Sequence, residues 1–181
     1  MRPWLSWVIG VALLAAAWGV VQLTPGDEAA EASFAVPAAI GEEATGRALA
    51  VTVTDLRLGD RAVAGGWYAD GTWLVVDLRA QALREERGAL LAHAALVIDG
   101  VTYRASERPA SMFRSPLAVG IPREGSLAFE LPADLADRAG TLQLAVDAET
   151  RLDSLVEVPV DLGTLDRADE VELLAEGWVQ R

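Results

Sequence analysis

The chain contains no cysteine, no lysine and a single histidine among its 181 residues. The missing cysteine excludes disulfides, thiolate metal sites, iron–sulfur ligation and thiol catalysis. One imidazole leaves little material for a multi-histidine metal site or a Ser/His pair. All fifteen basic residues are Arg, set against 27 acids, and the formal net charge is -12. That balance argues against a nucleic-acid partner, because phosphate binding needs a basic face. No Ser sits in a G-x-S-x-G elbow.

Charge is also missing from one long stretch, Pro3 to Thr24. Its core, Trp4 to Leu23, reads WLSWVIGVALLAAAWGVVQL. As a helix it covers about 30 Å, the hydrocarbon thickness of a bilayer. Trp4 and Trp7 mark one end and Trp18 the other, as interfacial anchors do. Arg2 precedes the run, and Asp27, Glu28 and Glu31 follow it. The positive-inside rule then places the N-terminus in the cytoplasm and the remainder outside. The rival is a cleaved secretory signal with a cut near Ala29 or Ala30. Its apolar region would span about 7–15 residues, shorter than this one. The expectation is a retained transmembrane signal-anchor over 1–24. No G-x-x-x-G accompanies Gly10 and Gly19, so helix dimerisation is not expected.

Residues 25–46 hold acids and no base, with Ala, Pro and Gly throughout. They read as a flexible acidic linker, in which Phe34, Val36 and Ile40 are taken as spacer. From Arg47 the pattern becomes one of short alternating runs. Val51, Val53 and Leu56 alternate imperfectly. Thr72 to Ala82, TWLVVDLRAQA, is the strongest strand. Trp73, Val75, Asp77, Arg79 and Gln81 point one way, and Leu74, Val76, Leu78, Ala80 and Ala82 form an apolar face on the other. Arg84 to Gly88, REERG, is a charged turn. Asp99-Gly100 between ALVI and VTYRA signals a type I′ hairpin. Residues 104–123 read as a long loop with a short strand near Leu117–Val119. Leu127, Phe129 and Leu131 alternate before Pro132. Residues 133–140 suit one or two helical turns stopped by Gly140. Leu142, Leu144 and Val146 alternate, as do the residues of LVEVPVDL at 155–162, where Pro159 suggests an edge.

Seven or eight short strands over 47–163, with no long helix between them, predict an all-β, immunoglobulin-like antiparallel β-sandwich. In the tail, 164–181, Val171, Leu174, Ala175 and Trp178 recur at i, i+3, i+4 and i+7, which predicts a short acidic C-terminal helix.

The order of these runs resembles the telokin-like, immunoglobulin-fold domain of unknown function found on membrane-anchored proteins and lipoproteins of Gram-positive bacteria. The matching stretches are Trp73 to Ala80, Asp99-Gly100 with Tyr103, and Gly125 with Phe129 to Pro132. The chain departs from that pattern at Gln81-Ala82 and in the charged REERG turn. The resemblance covers about 110 residues, and it implies the sandwich fold and no catalytic residue.

Chemistry-bearing residues are few. His93 lies in ALLAHAALV with no partner of its kind and reads as structural. Asp147, Glu149 and Asp153 share one turn, but Ca²⁺ takes six to eight oxygens and their spacing matches no EF-hand. They read as solvated. No cofactor, catalytic or metal residue is assigned. The residues singled out for partner contact are Trp67, Tyr68, Met112, Phe113 and Trp178, since loop aromatics on a rigid sandwich often grip partners.

The sequence reading is a noncatalytic, membrane-anchored, extracytoplasmic interaction module with a protein partner, fitting an accessory subunit of a membrane complex. The alternative is an extracytoplasmic binding protein for a small or lipid-like ligand. A metal-dependent hydrolase, built from carboxylates alone or with His93, is the third.

Overall fold

The computed structural model describes the backbone of residues 3–23, 32–84 and 89–179. Two compact units result, residues 1–32 and 33–181. The first contains helix α1 (Pro3–Leu23). Its side chains are described at Trp4 and over 7–19. Apolar groups cover every side of this stretch, which is about 20 Å long at 1.5 Å per residue. Among the described residues no helix is long and apolar enough to cross a membrane. Residue 24, the first part of the expected linker (residues 25–31) and most of the REERG turn (85–88) lie outside the described residues.

The second unit is a β-sandwich. In chain order its strands are β1 (Phe34–Pro37), β2 (Glu43–Thr45), β3 (Leu49–Ala64), β4 (Trp67–Ala82), β5 (His93–Ile98), β6 (Val101–Arg104), β7 (Arg123–Leu131), β8 (Ala139–Ala145), β9 (Ser154–Asp161), β10 (Arg167–Ala168), β11 (Val171–Glu172) and β12 (Gly177–Trp178). One sheet runs β1-β9-β8-β5-β6. The other runs β10-β3-β4-β7-β12, with β2 and β11 also on β3. Alternation explains the core between them: Leu74, Val76 and Leu78 of β4, with Leu127 and Phe129 of β7, pack with Leu96, Leu142, Leu144, Val156 and Val158 of the first sheet. The long ladders are antiparallel, but β1 runs parallel to β9, and β10 and β11 run parallel to β3. The expectation of a purely antiparallel sandwich is corrected to that extent.

The Asp99-Gly100 turn forms as read. Both residues have positive φ, 50° and 78°, and they join β5 to β6. Pro159 also sits where its chemistry allows. Strand β1 flanks β9 only from Ser154 to Glu157, so Pro159 faces no ladder neighbour on that side.

Three expectations are corrected. The linker does not extend to residue 46: Phe34–Pro37 forms β1 on β9, and β2 pairs with β3 at Ala50–Thr52. Residues 133–140 hold only a 3-10 turn at Ala133–Leu135, and Gly140 lies inside β8 rather than ending a helix. Leu117–Val119 contributes isolated bridges instead of a strand.

The tail is not helical. It forms β10, β11 and β12, and it buries Val171 and Leu173, two apart, while Leu174 and Trp178 stay exposed. A short acidic helix is marginal alone. The open edge of β3 offers backbone partners instead, and the period of two prevails over the period of 3.6.

The main departure from a plain sandwich is in β3 and β4. Each has sixteen residues, about 50 Å if straight. They do not run straight. The ladder shifts register between Gly59 and Arg61, and Gly71 has a φ of 147°. Beyond this bend the hairpin folds back over the outer face of its own sheet, and Trp67 reaches Trp73. A second, smaller core forms there from Ala62, Ala64, Ala69, Trp73, Val75, Ala128, Val171 and Leu173, with Trp67 packed against it. Trp73 and Val75 therefore sit on the expected outward face of β4, yet both are 0% exposed.

Candidate functional site

The folded-back hairpin, here the flap, and the tail, here the strap, define the surface with the most distinctive chemistry. The strap follows β3 around its bend, since β10 pairs at Leu58 and Gly59 and β11 at Ala62 and Val63. The Leu173 N–H donates to the Val63 carbonyl at 2.8 Å. The next residue, Leu174, donates its N–H to Ser126 Oγ at 2.7 Å, which crosses the strap from the flap to β7. β12 then pairs with β7 at Arg123 and Glu124.

A polar latch lies where the strap crosses. Arg57 Nη2 donates to both oxygens of Asp77 at 2.7 Å. Arg57 Nη1 donates to the Glu172 carbonyl at 2.8 Å. Ser126 Oγ donates to Asp77 Oδ1 at 2.5 Å. Asp77 thus holds two donors, one of which orients the strap directly and the other through Leu174. At the strap's far end Glu176 accepts from Ser115 Oγ and pairs with Arg123 at 3.0 Å. The Arg123 guanidinium carbon lies 4.8 Å from the Trp178 ring centroid.

Beside the latch is an open cleft of about 590 Å³, lined by Asp55, Arg57, Asp77, Gly65 and residues 172–175. Its volume falls within the range of about 300–1,000 Å³ usual for small-molecule sites. With three carboxylates to one guanidinium, its lining is acidic.

The flap carries Trp67 and Tyr68. Tyr68 is 65% exposed. The Arg61 guanidinium lies 5.4 Å from its ring centroid. A hydrogen bond and charge from Asp70 hold Arg61 more firmly protonated than usual. On the other face, Arg108 lies 5.6 Å from both the Trp67 and the Trp73 ring centroids and pairs with Glu130 at 2.7 Å.

The five residues expected to contact a partner divide. Trp67 and Tyr68 share the flap. Trp178 is exposed on the strap and rests on Arg123. Met112 is fully buried in the main core and is corrected from a surface contact to a packing residue. Phe113 is partly buried against the same core. The sequence reading missed Arg57, Asp77 and Ser126, which had no motif to mark them.

His93 opens β5 and lines a cavity of about 40 Å³ with Arg104, Phe113 and Ala148. Burial pushes its pKa down, and the charge of Arg104 adds to this. The Ala148 carbonyl and Gln143 oppose the shift. Among the described residues no group of three or more His, Cys, Asp or Glu side chains could hold a metal ion.

No family model matches the chain, and no curated protein matches it. Among solved structures it is similar to an uncharacterized β-sandwich protein from Clostridium difficile 630. The identity is 10%, the alignment covers 70% of this chain and 96% of that chain, and the TM-score is 0.48.

Proposed function

We propose that the chain is a noncatalytic interaction module, anchored in a membrane by its N-terminal helix, with the β-sandwich on the extracytoplasmic side. It would serve as an accessory subunit of a membrane complex. The finer fold reading within this proposal is an immunoglobulin-like sandwich of the telokin-like kind. Eight strands of four or more residues in two sheets support it.

The observation that carries the interaction reading is the flap. The hairpin presents Tyr68 and Arg61 at the surface beside the partly buried Trp67, with Arg108 of the β6–β7 connection lying against Trp67, and aromatic and Arg side chains are the usual anchors of protein interfaces. The anchor reading draws on the sequence alone, on the uncharged run Trp4 to Leu23 and on the charges that flank it.

The test is recovery of a partner from native membranes in mild detergent, using the full chain and its Tyr68→Ala variant. A stoichiometric partner held by the parent and lost by the variant is the expected outcome. Equal recovery with both would remove the flap as the contact, and a chain that purifies alone would remove the module reading. Extraction of the full chain by alkaline carbonate would remove the anchor.

The second reading is binding of a small or lipid-like ligand, favoured by the cleft beside the latch. Native mass spectrometry of the chain purified from its own membrane should then show a retained mass.

A further inference from the structure

We propose that the strap is a strand-addition segment that also seats on a second copy of this chain, giving a strap-exchanged dimer. The contacts are those of an added strand. Val171 and Glu172 pair with Ala62 and Val63, and Gly177 and Trp178 pair with Glu124 and Arg123. The Val179 N–H donates to the Pro122 carbonyl at 2.9 Å. Side chains alternate as strand addition requires: Val171 and Leu173 are buried, whereas Glu172 and Leu174 are exposed. Backbone pairing supplies affinity in this mode, and pockets for alternate side chains supply specificity.

The groove selects one sequence pattern. It takes apolar side chains at 171 and 173, a carboxylate at 176 between Ser115 and Arg123, and an aromatic ring at 178 over Arg123. A second copy carries that pattern on a segment of the same length and charge. Exchange therefore rebuilds every contact with identical chemistry and adds no new unpaired group, which makes exchanged elements a low-cost route to dimers. The hold within one copy is also built in pieces. Each ladder of the strap has two residues, and Asp169, Glu170, Leu174 and Ala175 between them are exposed. The strap exchanges as a whole, β10 included, about a hinge at Leu165 and Asp166, which lie between the 3-10 turn Leu162–Thr164 and β10.

The absence of cysteine makes the test clean. Gly177 faces Glu124 directly across the β12–β7 ladder, and a Cβ at Gly177 meets nothing within 4 Å. Full-length Glu124→Cys and Gly177→Cys chains, carrying different tags, are co-expressed, purified and exposed to mild oxidant. A disulfide-linked heterodimer of the two is expected. Glu124→Cys co-expressed with Tyr68→Cys should give none. The double variant Glu124→Cys/Gly177→Cys checks the geometry, since it should close a disulfide within one chain or across an exchanged pair. Single variants that stay monomeric while the double variant closes only within its own chain would overturn the exchange. A double variant that fails to close at all would overturn the strap's seat and the proposal with it.

Discussion

Trp67 meets Trp73 edge to face, with ring centroids 5.7 Å apart and planes at 88°, although both belong to β4. In a straight strand six residues would separate them by about 20 Å. The contact is therefore a direct reporter of the fold-back. Trp73 is fully buried, and Trp73→Ala should destabilise by about 3–5 kcal/mol. Trp67→Ala, less buried, should cost less. A double-mutant cycle in urea should give a coupling of about 0.5–1.5 kcal/mol. Additive effects would mean that the flap is open in solution.

The latch makes a second expectation. Ser126 is fully buried, donates to Asp77 and accepts from Leu174. Ser126→Ala removes the acceptor of the Leu174 N–H and leaves Asp77 Oδ1 with Arg57 as its donor. The cost should be about 1–3 kcal/mol. Hydrogen exchange should quicken first at Leu173 and Leu174, while the β8–β9 ladder stays protected. Uniform quickening across both sheets would contradict the local role of the latch.

His93 sets a pH dependence with a defined sign. Its folded pKa lies below the ordinary value of 6.5, chiefly through burial. As pH falls through about 6.5 the unfolded chain takes the proton first, so the folded state loses stability. The loss continues until pH passes the lower folded pKa, and it is absent well above 6.5. Subtracting the profile of His93→Gln isolates this contribution from those of the acids. Stability of the parent should fall relative to the variant between neutral pH and the acid side. An unchanged difference would contradict the shift.

Much of the sandwich was legible because alternation is local. Leu74, Val76 and Leu78 declare a core face by their own spacing, and Asp99-Gly100 declares a turn by its own chemistry. What covers the other face of β4 is not local. Trp73 and Val75 look like surface positions beside Asp77 and Arg79. Their burial depends on a bend at Gly59 and Gly71 and on residues about a hundred positions further along. The strap itself was misread because Val171, Leu174, Ala175 and Trp178 fit a helix stripe as well as Val171 and Leu173 fit a strand. The free edge of β3 decided between them, and no period in the tail shows that edge. The latch residues were missed for the same reason: Arg57, Asp77 and Ser126 lie on three different strands.

That dependence on the bend yields the last prediction. A Cβ at Gly59 would lie 2.9 Å from Val171 Cγ1, 3.0 Å from Cγ2 and 3.2 Å from the Ala168 carbonyl. Val171 cannot swing away, because a β-branched side chain is stiff at χ1. Gly59→Ala should therefore push the strap outward and cost about 1–3 kcal/mol, the usual penalty of overpacking. Val171→Ala should also destabilise, since it removes a buried apolar group. Together the two should cost less than their sum, because the shortened Val171 makes room for the new methyl. Chemical denaturation of the four chains measures this directly. Strict additivity would mean that Gly59 and Val171 do not touch, and that the strap does not follow the bend of β3.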